Sequence, residues 1–196
     1  FQAEKKWNSR WVSDIYLSSF NSRIGILRGS QIGNLSDLNA AFAREIPFFT
    51  QENFSYDIDA PQQMVHHMLL KLKSSYRIKD KQILTLSYAW QNNSRQEFDI
   101  RRSGRSDLPA LSLAQKSHFV EGKYQGQFDN GWIIKSGLQW NRVDNQNVPE
   151  TGILPLIPDY ISQEIGLFIL GTKTWNKISW DLGGRYDVEG RNVAAI

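Results

Sequence analysis

Charged residues alternate with other types near the middle of the chain, and this stretch holds the densest set of groups able to do chemistry. The charged positions are Arg95, Glu97, Asp99 and Arg101. If the chain is extended there, all four side chains lie on one face of a strand, because side chains alternate between the two faces. They then either form ion pairs with neighbouring strands or, with Arg102 and Arg105, bind an anionic ligand, since guanidinium groups match carboxylates and phosphates.

The same residues do not predict an enzyme. Glu97 and Asp99 are close in sequence, but no nucleophile or shielded pocket accompanies them. His66 and His67 are adjacent, so on a strand they point to opposite faces and cannot share one metal ion. His67, on the charged side, is either an ordinary strand residue or a contact for a metal chelate. We therefore predict ligand binding without a catalytic residue, a resident metal or a cofactor.

Composition narrows the class of protein. The 196 residues carry a net charge of +3 and include no cysteine. The basic residues are interspersed with carboxylates, so we do not expect nucleic acid as a partner. The lack of cysteine excludes disulfides and thiolate chemistry. No apolar run approaches the ~20 residues of a membrane helix, which leaves open strands that are apolar on one face only.

Residues 116–141 predict two long strands joined by a tight turn at Asp129-Asn130-Gly131. The Asn-Gly pair suits a two-residue turn with two positive φ angles. From Trp132 to Trp140 every even position is uncharged and a tryptophan stands at each end. The two tryptophans are eight positions apart, which is roughly 26 Å along a strand. A tilt of ~40° reduces this to roughly 20 Å of height, close to the ~25 Å apolar band of an outer-membrane barrel.

The whole chain repeats this pattern in a single domain without repeats or linkers. We predict seven strands, at about 11–27, 64–78, from 82 to beyond 91, 116–128, 132–141, 164–172 and 177–187. A polar patch at residues 18–22 suggests a bulge in the first strand. A short helix is predicted from Ser36 or Asp37 to about Arg44, and the turn before the last strand at residues 173–176. The connections alternate between long (28–62, 101–115 and 142–162) and short, as outer-membrane barrels alternate outer loops with periplasmic turns.

In five of these strands charged residues occur at odd-numbered positions and are missing from even-numbered ones. The even positions of the second, third, fourth, fifth and seventh strands include no Asp, Glu, Lys or Arg, whereas odd positions include Lys71, Lys73, Glu121 and Arg185. The sixth strand is apolar on both faces. A soluble antiparallel sheet also predicts alternation. Strands of 11 to 15 residues, against the usual ~5–6, and aromatic residues near both ends favour a transmembrane barrel instead.

Several segments resemble the barrel of TonB-dependent outer-membrane receptors, in the branch common in Bacteroidetes-type bacteria. The segments are Gly25-Ile26-Leu27-Arg28-Gly29-Ser30, Glu97-Phe98-Asp99-Ile100-Arg101-Arg102, Pro109-Ala110-Leu111 and residues 151–160, TGILPLIPDY. The resemblance implies an all-β fold: an antiparallel segment of a 22-stranded transmembrane barrel in the outer membrane of a Gram-negative bacterium. Its strands face outer-membrane lipid.

The resemblance also implies a function. Such receptors bind a scarce nutrient, often a ferric siderophore, haem or cobalamin and sometimes an oligosaccharide, and import it past an N-terminal plug with energy delivered by TonB. The basic outer loops favour an anionic iron chelate. Residues 1–196 lack the plug and the closing strand, so we expect an internal part of a receptor barrel that needs its remaining strands. The alternative is a soluble β-sandwich that binds carbohydrate through Phe48, Phe49 and Tyr56.

Overall fold

Eight antiparallel strands form a single sheet in chain order. The computed structural model describes residues 1–26, 34–46, 53, 55–101, 104–148, 151, 154–155 and 157–194. The strands are β1 (Gln2–Lys6), β2 (Trp11–Gly25), β3 (Gln62–Lys79), β4 (Gln82–Phe98), β5 (Leu111–Gln127), β6 (Trp132–Asn147), β7 (Tyr160–Trp175) and β8 (Ile178–Val193). One α-helix, α1 (Leu35–Phe42), and a 3₁₀ turn (Arg105–Asp107) lie in the connections. The predicted all-β antiparallel fold is confirmed.

The strands are more numerous and longer than predicted. β1 was missed because its five residues carry no clear alternation, and it pairs with β2 from Gln2↔Tyr16 to Lys6↔Val12. β2 runs in continuous register against β3, so the predicted bulge near residues 18–22 is wrong. β5 begins at Leu111 and β6 continues to Asn147, so residues 111–115 and 142–147 are strand and not loop. Pairing with neighbouring strands extends both beyond the alternating pattern.

Two turns also differ from their prediction. After β5, the Gly131 N–H donates to the Phe128 carbonyl (2.9 Å) and the Phe128 N–H donates to the Trp132 carbonyl (2.8 Å). Only Gly131 in this turn has a positive φ, 85°. The loop is therefore a three-residue hairpin with glycine in the left-handed position, not a two-residue turn. The β7–β8 turn lies at residues 176–177, with φ 54° at Asn176, because Trp175 still pairs with Ile178.

All short connections lie at one end of the sheet and all long connections at the other, as predicted. β1–β2, β3–β4, β5–β6 and β7–β8 are joined by tight turns, whereas residues 26–61, 99–110 and 148–159 form the long loops. In the first long loop α1 begins one or two residues earlier than expected. Its N-cap is Asn34, whose Oδ1 accepts a hydrogen bond from the Asp37 N–H (2.9 Å), an arrangement typical of helix starts.

The register separates the side chains into two faces of different charge. The uncharged face contains three rows that cross the sheet from β2 to β8 without Asp, Glu, Lys or Arg. These rows begin at Trp11, Ser13 and Ile15 and include Leu72, Leu84, Leu86, Leu138 and Leu167. The charged face carries Lys73, Glu121, Arg185 and Asp187 in neighbouring rows. We call the three rows of the uncharged face the apolar band; the parity pattern of the sequence correctly placed its members together.

Charge returns at the long-loop end of this face and on the edge strand β1, where Lys5 continues the middle row of the apolar band. On β5 and β6 the first charged residues of this face are Lys116, Arg142 and Asp144, beyond Trp140 toward the long loops. On β1, Lys5 falls beside Ser13, and its ammonium lies 4.6 Å from the centre of the Trp7 ring. Lys173 similarly lies 5.6 Å from the Trp132 ring. Long basic side chains at such margins extend their charge away from an apolar surface.

The apolar band does not pack into a core. Among the described residues no hydrophobic side chain is buried, and Leu86, Leu138 and Leu182 are 57%, 51% and 63% exposed. Thr85, on the charged face beside Leu86, is only 8% exposed. The described strands lie in one sheet, so the two-layered sandwich alternative is wrong. None of the helices in the described ranges is long and apolar enough to cross a membrane.

Candidate functional site

The predicted row of charged side chains on one face exists only up to the end of β4. Arg95 and Glu97 lie on the charged face, opposite Leu113 and Leu111 of β5. The Arg95 guanidinium forms an ion pair with the Glu97 carboxylate. Gln63, across on β3, also donates to Glu97 Oε1 (3.3 Å). The Arg95 charge is thus matched along its own strand, whereas sequence analysis expected pairs between strands.

Asp99 and Arg101 follow β4 and belong to the long loop, because β4 ends at Phe98. The Arg101 guanidinium donates to the Thr151 carbonyl through Nη1 and to the Pro109 carbonyl through Nη2, both at 3.0 Å. The Arg101 N–H donates to Ser106 Oγ (2.9 Å). Arg101 therefore joins the β4–β5 loop to the β6–β7 loop, 50 residues further along the chain.

The other predicted residues are dispersed. Arg105 opens the exposed 3₁₀ turn, and Arg102 lies outside the described residues, as do Phe48 and Phe49 of the carbohydrate alternative. His67 lies on the charged face of β3, where its Nε2 is 3.3 Å from Gln91 Oε1. Among the described residues, no group of three or more acidic or histidine side chains is arranged to hold a metal. The structure thus brings Arg95 and Glu97 together, places His67 one row below Arg95 on the same face of the neighbouring strand, and leaves Arg105 in the long loop.

A second junction between loop and strand was missed by sequence reasoning. Asp159 Oδ1 accepts hydrogen bonds from the backbone N–H (2.6 Å) and the side-chain amide (2.7 Å) of Asn147, the last residue of β6. The Asn147 amide also donates to the Ile157 carbonyl (2.7 Å). Beside this junction is a cavity of about 250 Å³, lined in part by Glu97, Leu111 and Thr151. The long-loop end of the charged face therefore has a shaped surface, with polar junctions beside a cavity whose lining is mainly apolar.

Nearer the short turns, polar side chains of the charged face form a connected network. Arg185 on β8 binds Asp187 through Nε (2.8 Å) and Nη2 (2.6 Å), and its Nη1 donates to Gln139 Oε1 (2.7 Å). Gln139 in turn donates to Glu121 Oε2 (2.7 Å). Arg185 reaches β6 across β7 because Gly166 lies between; a Cβ at Gly166 would meet Asp187 Oδ1 and Arg185 Nη2.

Sequence reasoning also missed one row of uncharged polar residues. The register aligns one residue from each of five strands on the charged face: His67, Asn93, Gln115, Asn145 and Tyr160. We call this set the carboxamide row. Its members are far apart in sequence, so no local motif reveals it. Asn145 is only 4% exposed.

The comparisons with known proteins give one informative likeness, in fold. No model of a known protein family matches the sequence, and no curated protein matches it. The chain is similar to part of the crystal structure of BauA, the ferric preacinetobactin receptor from Acinetobacter baumannii, with a TM-score of 0.55 and 10% sequence identity. The match covers 97% of this chain and 33% of BauA, so the chain spans about a third of that receptor's length.

Proposed function

We propose that this chain forms part of the barrel wall of an outer-membrane receptor that imports a scarce nutrient. The observation that carries the proposal is the apolar band: an exposed, charge-free surface that crosses seven strands. Exposed apolar patches of this extent are unfavourable in water and mark contact with a partner or a membrane. Arginine or lysine facing lipid at mid-bilayer costs ~2–4 kcal/mol, so selection against charge there has a physical cause.

Aromatic residues at both margins of the apolar band support lipid as the partner. Trp11, Tyr76 and Tyr124 share the row nearest the short turns, and Tyr88 and Trp140 share the row nearest the long loops. On β6 the outermost tryptophans, Trp132 and Trp140, lie eight positions apart, roughly 26 Å along the strand. That span suits the two aromatic girdles of an outer-membrane barrel, which flank an apolar band ~25 Å tall.

Several polar groups in the band are paired with one another or with groups beside it, an arrangement that suits hydrocarbon. The indole N–H of Trp11 donates to Ser74 Oγ (2.7 Å), and Ser74 Oγ is 3.1 Å from Ser13 Oγ. Ser13 Oγ also accepts from the indole N–H of Trp7 (3.1 Å). The Tyr88 hydroxyl lies 3.0 Å from His118 Nδ1.

The position of the chain within a larger barrel follows from its edges. β1 and β8 each pair on one side in the described sheet, and a free strand edge in a membrane leaves backbone groups without partners. The proposal therefore assigns the remaining strands and a plug to other residues of the complete polypeptide, with TonB supplying the energy. The long loops then lie outside the cell and the short turns in the periplasm of a Gram-negative bacterium.

We further propose an iron chelate, such as a ferric siderophore or haem, as the cargo. The support is the fold likeness to a ferric preacinetobactin receptor, together with a cavity where the charged face meets the long loops. Arg95, Glu97, Asp99, Arg101, Arg102, Arg105 and His67 remain the predicted ligand contacts, although Arg95 and Arg101 already bind groups of the protein.

Transport of radioactive iron tests the function directly. Cells that produce the complete polypeptide should accumulate ⁵⁵Fe from a chelate, and deletion of its gene or addition of an uncoupler should abolish the uptake. Reintroduction of the gene is the control. Accumulation that is insensitive to both treatments would contradict an energised receptor.

A further inference from the structure

The charged face is divided into a charged part and a neutral part. The rows nearer the short turns contain Lys73, Glu121 and Asp187, and the last of these charged rows contains Lys71 and Glu164. The next two rows toward the long loops contain no Asp, Glu, Lys or Arg between β2 and β7. The upper of the two, which includes the carboxamide row, also contains Phe20. The lower one consists of Ser18, Leu69, Gln91, Ser117, Val143 and Ser162. On β8 it ends at Arg191, which is paired with Glu189 and lies 5.6 Å from the Tyr160 ring.

Two amides in the carboxamide row have unused hydrogen-bonding capacity. Asn93 Oδ1 and Asn145 Nδ2 are buried and have no hydrogen-bond partner among the described residues. A buried polar group without a partner is unfavourable, because it has lost its hydration and gained no hydrogen bond in return. Both side chains would therefore gain from turning toward a molecule that offers a donor to one and an acceptor to the other.

The basic residues near this region are poor candidates for an anion site. Arg95 is paired with Glu97, and Arg101 donates to two backbone carbonyls. An anion arriving there would have to displace bonds that the protein already makes. Neutral amides, in contrast, lose much less hydration free energy than charged groups when a ligand covers them.

We propose that the carboxamide row binds an uncharged cargo rich in hydroxyl, amide or hydroxamate oxygens. This inference rests on the proposed receptor function and narrows its substrate class. Carboxamides both donate and accept hydrogen bonds, which suits a neutral ligand with mixed polar groups. The row crosses five strands, or roughly 19 Å at ~4.8 Å per strand, enough for a small chelate or several sugar rings.

Binding to purified complete polypeptide in detergent distinguishes the ligand classes. The probes are a neutral ferric tris-hydroxamate, a trianionic ferric tris-catecholate and a neutral maltoheptaose, each titrated by calorimetry. At least one neutral probe should bind, the tris-hydroxamate if the cargo is an iron chelate and maltoheptaose if it is a saccharide. The trianionic probe should not bind. Maltoheptaose binding alone would preserve the inference and remove iron from the proposed function.

The substitution Asn93→Asp adds a negative charge with little change of shape. It should weaken the neutral probe about tenfold or more, because a buried carboxylate carries a desolvation cost that the neutral amide does not. Gln115→Glu, the neighbour in the same row, should act in the same direction. Gln125→Glu is the matched control, since Gln125 lies on the charged face beside Lys135 near the short turns, and should leave the affinity unchanged.

Three results would overturn the inference. The first is that the trianionic chelate binds and Asn93→Asp leaves its affinity unchanged. The second is that none of the three probes binds. The third is that Asn93→Asp and Gln115→Glu lower the unfolding midpoint while the affinity stays constant, because the row would then be covered by another segment of the polypeptide. None of these results concerns insertion into the membrane, so the proposed receptor function is tested independently of this inference.

Discussion

The two faces of the sheet are built from the same strands but tolerate charge differently. Leu86 and Thr85 are adjacent in β4, yet Leu86 on the uncharged face is 57% exposed and Thr85 on the charged face is 8% exposed. The more open face is therefore the more apolar one, the reverse of a water-soluble sheet. Polar side chains also behave differently, since those of the charged face form networks of ions and amides, whereas those of the apolar band pair locally.

This difference indicates that the two faces meet different solvents. An apolar band that ends at aromatic margins matches a hydrocarbon layer of finite thickness. A face that keeps Arg185, Asp187 and Glu121 in one network matches an aqueous or protein-lined interior. The following substitutions compare equivalent positions on the two faces, beginning with the largest expected effect.

Arginine at adjacent positions of β4 should produce the greatest contrast. In the complete polypeptide folded into lipid vesicles, Leu86→Arg should lower the free energy of unfolding by ~2–4 kcal/mol, because the charge would face mid-bilayer hydrocarbon. Ser87→Arg, on the charged face between Lys73 and Glu121, should change it by less than about 1 kcal/mol. Urea titration measures both. Equal effects would remove the distinction between the faces.

Loss of the Arg101 side chain should loosen the long-loop end without affecting the apolar band. Arg101→Ala removes two hydrogen bonds to loop carbonyls, which we expect to cost about 1–2 kcal/mol at this part-buried position. Amide hydrogen exchange should accelerate in residues 104–110 and near Thr151. Arg105→Ala, at an exposed position, serves as the control. Unchanged exchange in Arg101→Ala would show that the two loops are held by other contacts.

Removing a hydroxyl should matter more on the uncharged face. Tyr88→Phe leaves His118 without its 3.0 Å partner in a region where water does not replace it, so we expect a loss of about 0.5–1.5 kcal/mol. Ser179→Ala breaks the 2.9 Å contact with Thr174 on the charged face, where water is able to compensate, and should be nearly neutral. A larger loss for Ser179→Ala than for Tyr88→Phe in the same urea titration would contradict the assignment of solvents.

Alanine substitution of two glycines, one on each face, should give the smallest difference in stability. Gly184→Ala, on the uncharged face with nothing within 4 Å of the added methyl, should stabilise by about 0.4–1 kcal/mol through reduced freedom of the unfolded chain. Gly166→Ala should lack this gain, because its methyl displaces Arg185 from Gln139. Urea titration gives the unfolding midpoint of each variant, and that of Gly184→Ala should be the higher of the two. A Gly166→Ala protein as stable as Gly184→Ala would indicate that the network tolerates the methyl group.

The sequence was informative where one face was under a strong physical constraint. A shift of one residue moves every side chain to the other face, so alternation in β3–β6 and β8 correctly assigned their faces. Alternation fails beyond the apolar band, as in residues 142–147, where the charged residues Arg142 and Asp144 lie on the otherwise uncharged face, and these strand ends were missed. There the pairing with β5 and β7 decides the structure.

The candidate site was less accessible to sequence reasoning. Arg101 reaches Thr151, which lies 50 residues away, and nothing local to either residue indicates the contact. The carboxamide row takes one residue from each of five strands, so only the register brings it together. Arg95 and Glu97 were correctly placed on one face because they are two positions apart on one strand, but the ion pair between them was not predicted.

Spin labels at two adjacent positions of β6, one on each face of the sheet, test the central claim most directly. The chain has no cysteine, so single substitutions Leu138→Cys and Gln139→Cys in the complete polypeptide each accept one nitroxide. In lipid vesicles, the label at position 138 should collide with dissolved oxygen and be shielded from a water-soluble nickel chelate, whereas the label at position 139 should show no such preference for oxygen. Equal access of the nickel chelate to both labels would mean that the uncharged face does not meet hydrocarbon.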